Sequence, residues 1–257
     1  MTPTLFKKSV FTFLIILITN LSFAQSENYK IAYEAYSGGD SETALEYFEK
    51  DLNENPNSAY SHFYISVLYV IQEKLDLAEN HIDKALVNFP ESSTTMRSKA
   101  YSVKGDIAYK LKNIDNTFKY YALAIQLRPK EINLYLDRGQ YYFELGQLDK
   151  AEADFKHILT IDVSNIYAYG GLGRNYLKQK RYDLAEKNLT KAIQLNDLYY
   201  VALQLRAQTY FEQKKYKEAI LDMVEVISME PDDSDSRDQF LTYSLNDYEL
   251  ALTELNE

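Results

Sequence analysis

Three histidines, His62, His81 and His157, are the side chains best suited to proton transfer or metal binding near neutral pH. None of them belongs to an HExxH helix, a nucleophile elbow or a cluster of metal ligands. The chain has no cysteine, which excludes disulfides, thiolate metal sites and cysteine nucleophiles. The sequence therefore predicts no enzyme, no cofactor and no metal site, and we interpret the histidines as structural residues.

A run of glycines, Gly170, Gly171 and Gly173, is the second feature with a possible chemical role. It does not indicate a phosphate loop, because no Gly-Lys-Ser/Thr follows and the surrounding residues indicate a helix. Each glycine in a helix costs about 0.5–1 kcal/mol relative to alanine. Gly173 lies where two helices are expected to pack, which accounts for it. For Gly170 and Gly171 no packing role is evident, and the open alternative is a ligand that contacts the backbone there.

The prolines indicate which elements position these residues. Beyond the first 24 residues they are Pro56, Pro90, Pro129 and Pro231, with separations of 34, 39 and 102 residues, and 102 is three times 34. Proline ends a helix because it lacks an amide donor and clashes with the preceding turn. The spacing predicts six helical units, over residues 25–58, 59–92, 98–131, 132–165, 166–199 and 200–233.

The fourth unit shows the internal pattern most fully. Tyr135 and Gly139 share a face of its first helix, and Ala151 and Phe155 share a face of its second. The spacing aromatic-x-x-Arg-Gly-x-x-Tyr, followed by Ala-x-x-x-Phe, resembles a tetratricopeptide repeat. Small residues such as Gly139 let two helices cross closely. The other units repeat the pattern in phase, although only the fourth and fifth match the first-helix motif well and the early tryptophan of the family is absent.

This resemblance implies an all-α fold, a right-handed α-solenoid of six helix pairs with a C-terminal capping helix over residues 234–257. Leu241, Leu245, Tyr248 and Leu252 form one apolar stripe in that last segment. A charged docking tail is the alternative interpretation of the same residues.

In tetratricopeptide proteins the first helices of successive units line a concave groove, so the resemblance implies a groove here that binds a protein or peptide. The matching groove positions carry Tyr29, Tyr33, Tyr36, Tyr60, Phe63, Tyr109, Leu136, Gln140, Phe143, Tyr167, Gly170, Arg174, Gln208 and Phe211. Tyrosine suits such a surface because it combines a large contact area with a polar tip. We interpret four other tyrosines, Tyr69, Tyr142, Tyr176 and Tyr210, as packing residues between helices.

Residues 1–24 resemble a secretory signal peptide. Lys7 and Lys8 precede a short apolar core, and Ser22-Phe23-Ala24 predicts cleavage before Gln25. An uncleaved membrane anchor is the alternative. No later apolar run approaches the roughly 18 residues that span a bilayer, so the mature chain is predicted to be exported, periplasmic or secreted, without a membrane span.

The charge distribution and one insertion complete the sequence-based picture. The net charge is −10, and residues 230–257 hold nine acids against Arg237 alone. This balance opposes nucleic-acid binding, which depends on lysine and arginine. The segment Glu91–Arg97 adds five residues between the second and third units. It is interpreted as a longer loop or an N-terminal helix extension capped by Ser92 or Ser93, with a functional insertion as the alternative.

The function predicted from these features is a non-catalytic exported scaffold that binds a protein or peptide in its groove, for assembly of a cell-envelope complex. A carbohydrate-binding or glycan-processing envelope protein is an alternative, because tyrosine rings also stack on sugars. A regulatory module of an envelope enzyme is a third hypothesis.

Overall fold

The computed structural model describes residues 26–229 and 252–253, and between residues 26 and 229 the chain forms twelve α-helices and no strand. Numbered α1 to α12 in chain order, the helices are Glu27–Ser37, Ser41–Glu54, Ala59–Ile71, Leu75–Asn88, Thr94–Lys110, Ile114–Leu127, Ile132–Glu144, Leu148–Ile161, Ile166–Lys178, Tyr182–Leu195, Tyr200–Glu212 and Tyr216–Ser228. The chain divides into an N-terminal half that ends at Arg128 and a C-terminal half that begins at Pro129. The predicted signal peptide and, apart from residues 252–253, the predicted capping helix lie outside the described residues.

In three of the helix pairs a glycine on the first helix packs closely against a large residue on the second. A Cβ atom added to Gly105 would lie 2.8 Å from the Tyr121 ring, and one added to Gly139 would lie 2.9 Å from the Phe155 ring. Gly173 approaches Leu189 in the same way. These approaches confirm the prediction that Gly139 is a packing site, since a side chain there would collide with the partner helix.

The same position of the second helix is buried in all six pairs. Its occupants are Ala44, Ala78, Thr117, Ala151, Ala185 and Ala219, each at most 2% exposed. Because one register repeats along the chain, every pair buries the corresponding face against its partner. The prediction of an all-α repeat solenoid of six helix pairs is confirmed.

The turns inside the pairs share one backbone conformation. The residue with a left-handed φ is Gly39, Glu73, Lys112, Gly146, Lys180 or Lys214, one for each of the six pairs. After α9, for example, the amide of Lys180 donates to the Leu177 carbonyl at 2.9 Å and that of Arg181 to the Tyr176 carbonyl at 2.9 Å. This is the Schellman arrangement, which normally favours glycine. Four of the six turns therefore hold a lysine or glutamate in a strained conformation.

We expect Lys180→Gly to raise the free energy of unfolding by up to about 1 kcal/mol, because glycine removes the contact between Cβ and the carbonyl oxygen in left-handed backbone. Gly146→Ala should lower it by about 1 kcal/mol for the same reason. No heavy atom lies within 4 Å of a Cβ added at Gly146, so collision with a neighbour does not enter this comparison. Urea titration measures both changes. Opposite signs are required, and a loss of stability in Lys180→Gly would contradict the explanation.

The segment Glu91–Arg97 lengthens a helix. α5 has 17 residues, against 13 in α3, and its N-cap residue is Ser93, which makes no side-chain capping bond. Arg97 Nη1 donates to the carbonyls of Leu86 at 3.0 Å and Phe89 at 3.1 Å. These bonds satisfy backbone acceptors at the end of α4 that the helix itself leaves open. The interpretation of this segment as an N-terminal extension of the next helix is therefore confirmed for Thr94–Arg97.

Candidate partner-binding surfaces

The first helices of the pairs touch one another within each half. In the N-terminal half α3 contacts α5, and in the C-terminal half α9 contacts both α7 and α11. Each half therefore presents a surface built from first helices. We call the surface of α1, α3 and α5 the N-terminal face, and that of α7, α9 and α11 the C-terminal face.

The N-terminal face is organised around Tyr64. The Tyr33 ring lies 5.5 Å from the Tyr64 ring, edge to face, and the Tyr36 ring lies 4.9 Å from it. Tyr33 also stacks on Tyr29 with ring centroids 6.2 Å apart. Tyr33 is nevertheless 44% exposed. Its ring is thus held in place by neighbouring aromatic groups while one side stays open to solvent.

Tyr60 supplies a second open ring beside this cluster. It is 39% exposed and makes edge-to-face contacts with Phe89 at 5.1 Å and with Tyr29 at 6.2 Å. Burial raises the pKa of Tyr64 to about 12 and raises the pKa of Tyr29 further still. These phenols stay neutral at physiological pH, so the face is aromatic and uncharged where the rings meet.

Two residues predicted to line the groove are buried instead. Tyr29 is 6% exposed because Phe48 of α2 packs edge-on against it, with ring centroids 5.7 Å apart. Phe63 is 7% exposed and belongs to the core cluster that contains Phe89, whose ring lies 6.4 Å away. The prediction that Phe63 is an accessible anchor is wrong. Tyr64, which the sequence analysis did not select, holds the cluster together.

The C-terminal face contains two hollows. The first has a volume of about 280 Å³ and is lined by Leu136, Gln140, Tyr167, Arg174, Tyr199 and Leu205, among others. The second, of about 480 Å³, is lined by Phe143, Arg174, Lys178, Lys180, Leu205 and Gln208, among others. The structure therefore brings six of the predicted groove residues together around Arg174, which borders both hollows.

Two remaining groove candidates are half-buried away from these hollows. The Phe211 ring packs edge to face on Tyr216 of its own helix pair at 5.4 Å. Tyr109 lies near the end of α5 in the N-terminal half. The exposed Tyr167, by contrast, keeps 56% of its surface open and contacts Tyr199 edge to face at 6.0 Å.

Arg174 lies across the C-terminal face in an unusual environment for a cation. Its guanidinium carbon is 4.4 Å from the centre of the Phe143 ring, and Nη2 donates to Gln140 Oε1. The side chain is half-buried, and this burial lowers the pKa of the guanidinium. The guanidinium thus contacts an aromatic face and an amide oxygen, and the charge of Glu144 also favours its protonated form.

Aromatic side chains, and not a ligand, account for the two unexplained glycines. A Cβ atom at Gly170 would lie 2.8 Å from Tyr199 Oη, and one at Gly171 would lie 2.8 Å from the Phe155 ring. Tyr199 precedes α11 and Phe155 lies on α8, so neither contact is visible in the sequence around the glycines. The hypothesis of a ligand against this backbone is not needed.

The histidines of the second helix pair form a contact that the sequence analysis missed. His62 Nδ1 and His81 Nδ1 are 3.0 Å apart, and His62 Nε2 lies 3.0 Å from the Pro56 carbonyl oxygen. Since a carbonyl only accepts, His62 carries its proton on Nε2 and accepts at Nδ1 from the Nδ1–H of His81. The pair joins α3 to α4, and it loses this hydrogen bond when both rings are protonated, because both Nδ1 atoms then carry a hydrogen.

We expect the protein to lose stability as the pH falls from about 6.5 towards about 4. Burial lowers the pKa of both imidazoles, that of His81 from 6.5 to about 4. The unfolded chain then binds protons more tightly than the native state, so stability is complete above pH 6.5 and decreases below it. Urea titrations across this range should show a shallower decrease in His62→Gln/His81→Gln than in the parent. Parallel curves would contradict the assignment.

Among the described residues, no three histidine or acidic side chains come close enough together to hold a metal ion. Within the same part of the chain, no helix has the length and apolar character needed to cross a membrane.

Comparison with known proteins identifies the repeat. Family models described as tetratricopeptide repeats match residues 29–93 and 171–229, and residues 98–131 and 132–164. A TPR repeat-containing protein of Methanocaldococcus jannaschii is 31% identical over 139 residues, which are 51% of this chain. The chain spans between 11% and 24% of the lengths of the curated relatives that it matches.

Solved structures share the fold at low identity. Yeast Tom70 has a TM-score of 0.68 at 19% identity, with 88% of this chain and 47% of that one covered. YrrB, described as a TPR protein with an unusual peptide-binding site, has a TM-score of 0.55 at 21% identity, with 74% and 95% covered. The repeat fold is consistent with a scaffold that binds proteins or peptides, and it is typically non-catalytic. With these repeats matched over most of its length, the chain belongs to the tetratricopeptide repeat family.

Proposed function

We propose that the chain is an exported, non-catalytic scaffold that binds an extended segment of a partner protein on its first-helix faces during assembly of a cell-envelope complex. The observation that carries this proposal is the open aromatic surface of Tyr33 and Tyr60, 44% and 39% exposed. Ring contacts fix both side chains, yet helix packing does not use their outer surfaces. Exposed aromatic patches of this kind usually mark interaction sites.

Two further features support it. YrrB, which shares the fold, is described as having a peptide-binding site. Export rests on the signal-like residues 1–24, with a cleavage site at Ser22-Phe23-Ala24. N-terminal sequencing of the secreted or periplasmic fraction should begin at Gln25. Recovery of the chain in membranes with Met1 retained would contradict cleavage and favour the membrane-anchor alternative.

Site-specific photo-crosslinking tests the binding surface. A photoreactive amino acid replaces Tyr33 or Tyr60 in cells that express the full chain, and mass spectrometry identifies the adducts. The control position is Val87, which is 84% exposed but lies on α4, a second helix. The proposal requires a protein adduct at Tyr33 and Tyr60 that is absent at Val87. Equal adducts at all three positions would contradict it, and a glycan adduct would favour the carbohydrate-binding alternative.

Alanine substitution of the open rings should separate binding from stability. Tyr33→Ala or Tyr60→Ala is expected to weaken binding of the crosslinked partner by about 1–2 kcal/mol, as for interface hot spots. The melting temperature should fall less than in Tyr176→Ala, because Tyr33 and Tyr60 are 44% and 39% exposed, although one side of each ring contacts buried rings. Tyr176→Ala is the matched control, since Tyr176 is 4% exposed and should lose stability first. Normal partner affinity in both Tyr33→Ala and Tyr60→Ala would show that the N-terminal face does not bind the partner.

A further inference from the structure

His62 on α3 and His81 on α4 meet nitrogen to nitrogen in the second helix pair. Their Nδ1 atoms are 3.0 Å apart, and their ring centroids are 5.0 Å apart with the ring planes inclined by 59°. His157, by contrast, packs its ring on that of Tyr135 with centroids 4.4 Å apart. Histidine is the commonest metal ligand in proteins, so two ring nitrogens that face each other from adjacent helices are a candidate metal site.

The separation of the two nitrogens fits neighbouring ligands of one metal ion. Imidazole nitrogen binds divalent ions of the first transition row at about 2.0 Å, so two such ligands at a right angle lie about 2.9 Å apart. Ligands in a tetrahedral arrangement lie further apart, at about 3.3 Å. The observed 3.0 Å is closer to the right-angle value, which is typical of a tetragonal ion.

The second nitrogen of His62 orients this ring for metal binding. Nε2 donates to the Pro56 carbonyl oxygen at 3.0 Å, so the lone pair of the neutral ring is on Nδ1. A histidine that binds a metal usually donates its other N–H to a carbonyl or a carboxylate in this way. His81 becomes the second ligand when its proton moves from Nδ1 to Nε2, a change of tautomer that leaves the ring neutral.

Lys84 is the charged group that opposes a cation at this place. Burial first, and the charge of Lys84 in addition, lower the pKa of both imidazoles. Lys84 is exposed, so its ammonium can turn into solvent. On the other side of His81, the Tyr69 ring makes an edge-to-face contact at 5.7 Å, and its hydroxyl donates to Glu49 Oε1 at 3.4 Å.

Water must complete the coordination of an ion bound here. In the part of the chain that the structure describes, no third histidine or acidic side chain joins the pair. His62 is 4% exposed, but His81 is only partly buried, so solvent contacts the pair at His81. The chelate also replaces the hydrogen bond between the rings, because both use the same nitrogens. A two-histidine site of this kind is therefore weaker than one with a full set of protein ligands.

We propose that His62 and His81 bind a divalent copper ion through both Nδ1 atoms, with water in the remaining positions. Cu²⁺ is preferred to Zn²⁺ because it binds a given set of nitrogen ligands more tightly and adopts tetragonal geometry. The ion links α3 to α4 and stabilises the second helix pair, whose first helix belongs to the N-terminal face. This inference goes beyond the proposed function, since partner binding on that face requires no metal.

Titration of the intact mature chain with Cu²⁺ at neutral pH tests the proposal. The protein is produced without a histidine tag, and electron paramagnetic resonance reports the ligands of the ion. One equivalent of Cu²⁺ should give a tetragonal signal with nitrogen from two imidazoles. His81→Gln should bind Cu²⁺ at least about tenfold more weakly, because one of the two protein ligands is lost. His157→Gln is the matched control and should keep the wild-type affinity.

The charge of Lys84 provides a variant with the opposite sign. Lys84→Gln should bind Cu²⁺ about two- to threefold more tightly, because it removes a like charge beside the ion. Loss of structure would not produce such a gain. If His81→Gln does not fold, Lys84→Gln and the wild-type resonance spectrum decide. Saturating Cu²⁺ should also raise the melting temperature of the wild type, since it binds only the folded pair, and Zn²⁺ should raise it less.

Four outcomes would overturn the proposal. Equal affinity of the wild type and a folded His81→Gln would mean an adventitious ion only, and so would a spectrum with one imidazole nitrogen or none. Weaker binding by Lys84→Gln would place the ion elsewhere. A larger stabilisation by Zn²⁺ than by Cu²⁺ would contradict the tetragonal geometry. None of these results bears on crosslinking at Tyr33 and Tyr60, so the proposed function is tested separately.

Discussion

Replacing Phe155 with alanine is expected to lower the free energy of unfolding by about 3–5 kcal/mol, the usual cost of removing a buried phenylalanine. Phe155 is 2% exposed, and its ring lies against Gly139 of α7 and Gly171 of α9. The ring therefore fills the space between its own helix, α8, and two successive first helices, α7 and α9. Removal of the ring leaves a cavity, and neither Gly139 nor Gly171 has a side chain that could move into it.

A double variant that exchanges the large and the small residue at this contact provides a stringent control. Gly139→Leu alone should cost about 1–3 kcal/mol, because its side chain collides with the Phe155 ring. In the double variant Phe155→Ala/Gly139→Leu, the leucine occupies part of the vacated space, so the total loss should be smaller than the sum of the single losses. Denaturant titration of the four proteins measures the coupling. Strict additivity would mean that the two residues do not share this space.

Removing Arg138 is expected to cost about 3 kcal/mol, because its loss leaves Asp154 buried without a counter-charge. The Asp154 side chain is 7% exposed and accepts both hydrogen bonds of the guanidinium. Arg138→Met keeps most of the aliphatic stem, so the loss reports mainly on the stranded carboxylate. The measurement is the midpoint of unfolding in urea.

A double variant and a surface pair decide whether this cost comes from burial. Arg138→Met/Asp154→Leu should recover much of the stability, because an apolar pair of similar volume replaces the ions. Arg181→Met breaks a pair with Glu152 at 3.3 Å in which Arg181 is 47% exposed, and it should change stability by less than about 1 kcal/mol. A loss in Arg138→Met no larger than in Arg181→Met would contradict the buried-pair explanation.

The fold was largely predictable because its determinants repeat along the chain. Prolines mark helix ends through a local steric effect, and their spacing revealed the period. Once the period is known, the pairing of small and large residues follows within one repeat, as at Gly139 and Phe155. The left-handed turns were predictable only where glycine occurs, at Gly39 and Gly146. At Lys180 the helix crossing imposes the same backbone on a residue that does not favour it.

The candidate surfaces were predictable only in part, because exposure depends on neighbours that are distant in sequence. Tyr29 and Phe63 lie at equivalent positions, 34 residues apart, and both are buried, because Phe48 packs against Tyr29 and Phe89 packs near Phe63. Tyr33, one helical turn after Tyr29, stays open. Likewise, Gly170 looked like a contact for a ligand until the position of Tyr199 was known. No local pattern predicts which of the groove positions a ring from another helix will cover.

The sequence by itself determined the all-helical repeat architecture, the six helix pairs and the packing role of Gly139, because periodic local signals suffice for these features. Only the tertiary structure decided which charges are paired and which polar groups meet. Arg138 binds Asp154 sixteen residues away, His62 contacts His81 nineteen residues away, and Arg174 donates to the amide oxygen of Gln140 on another helix. Electrostatic pairing depends on distances of a few ångströms between side chains of different helices. The repeat register determines where the helices lie, but it does not determine these side-chain distances.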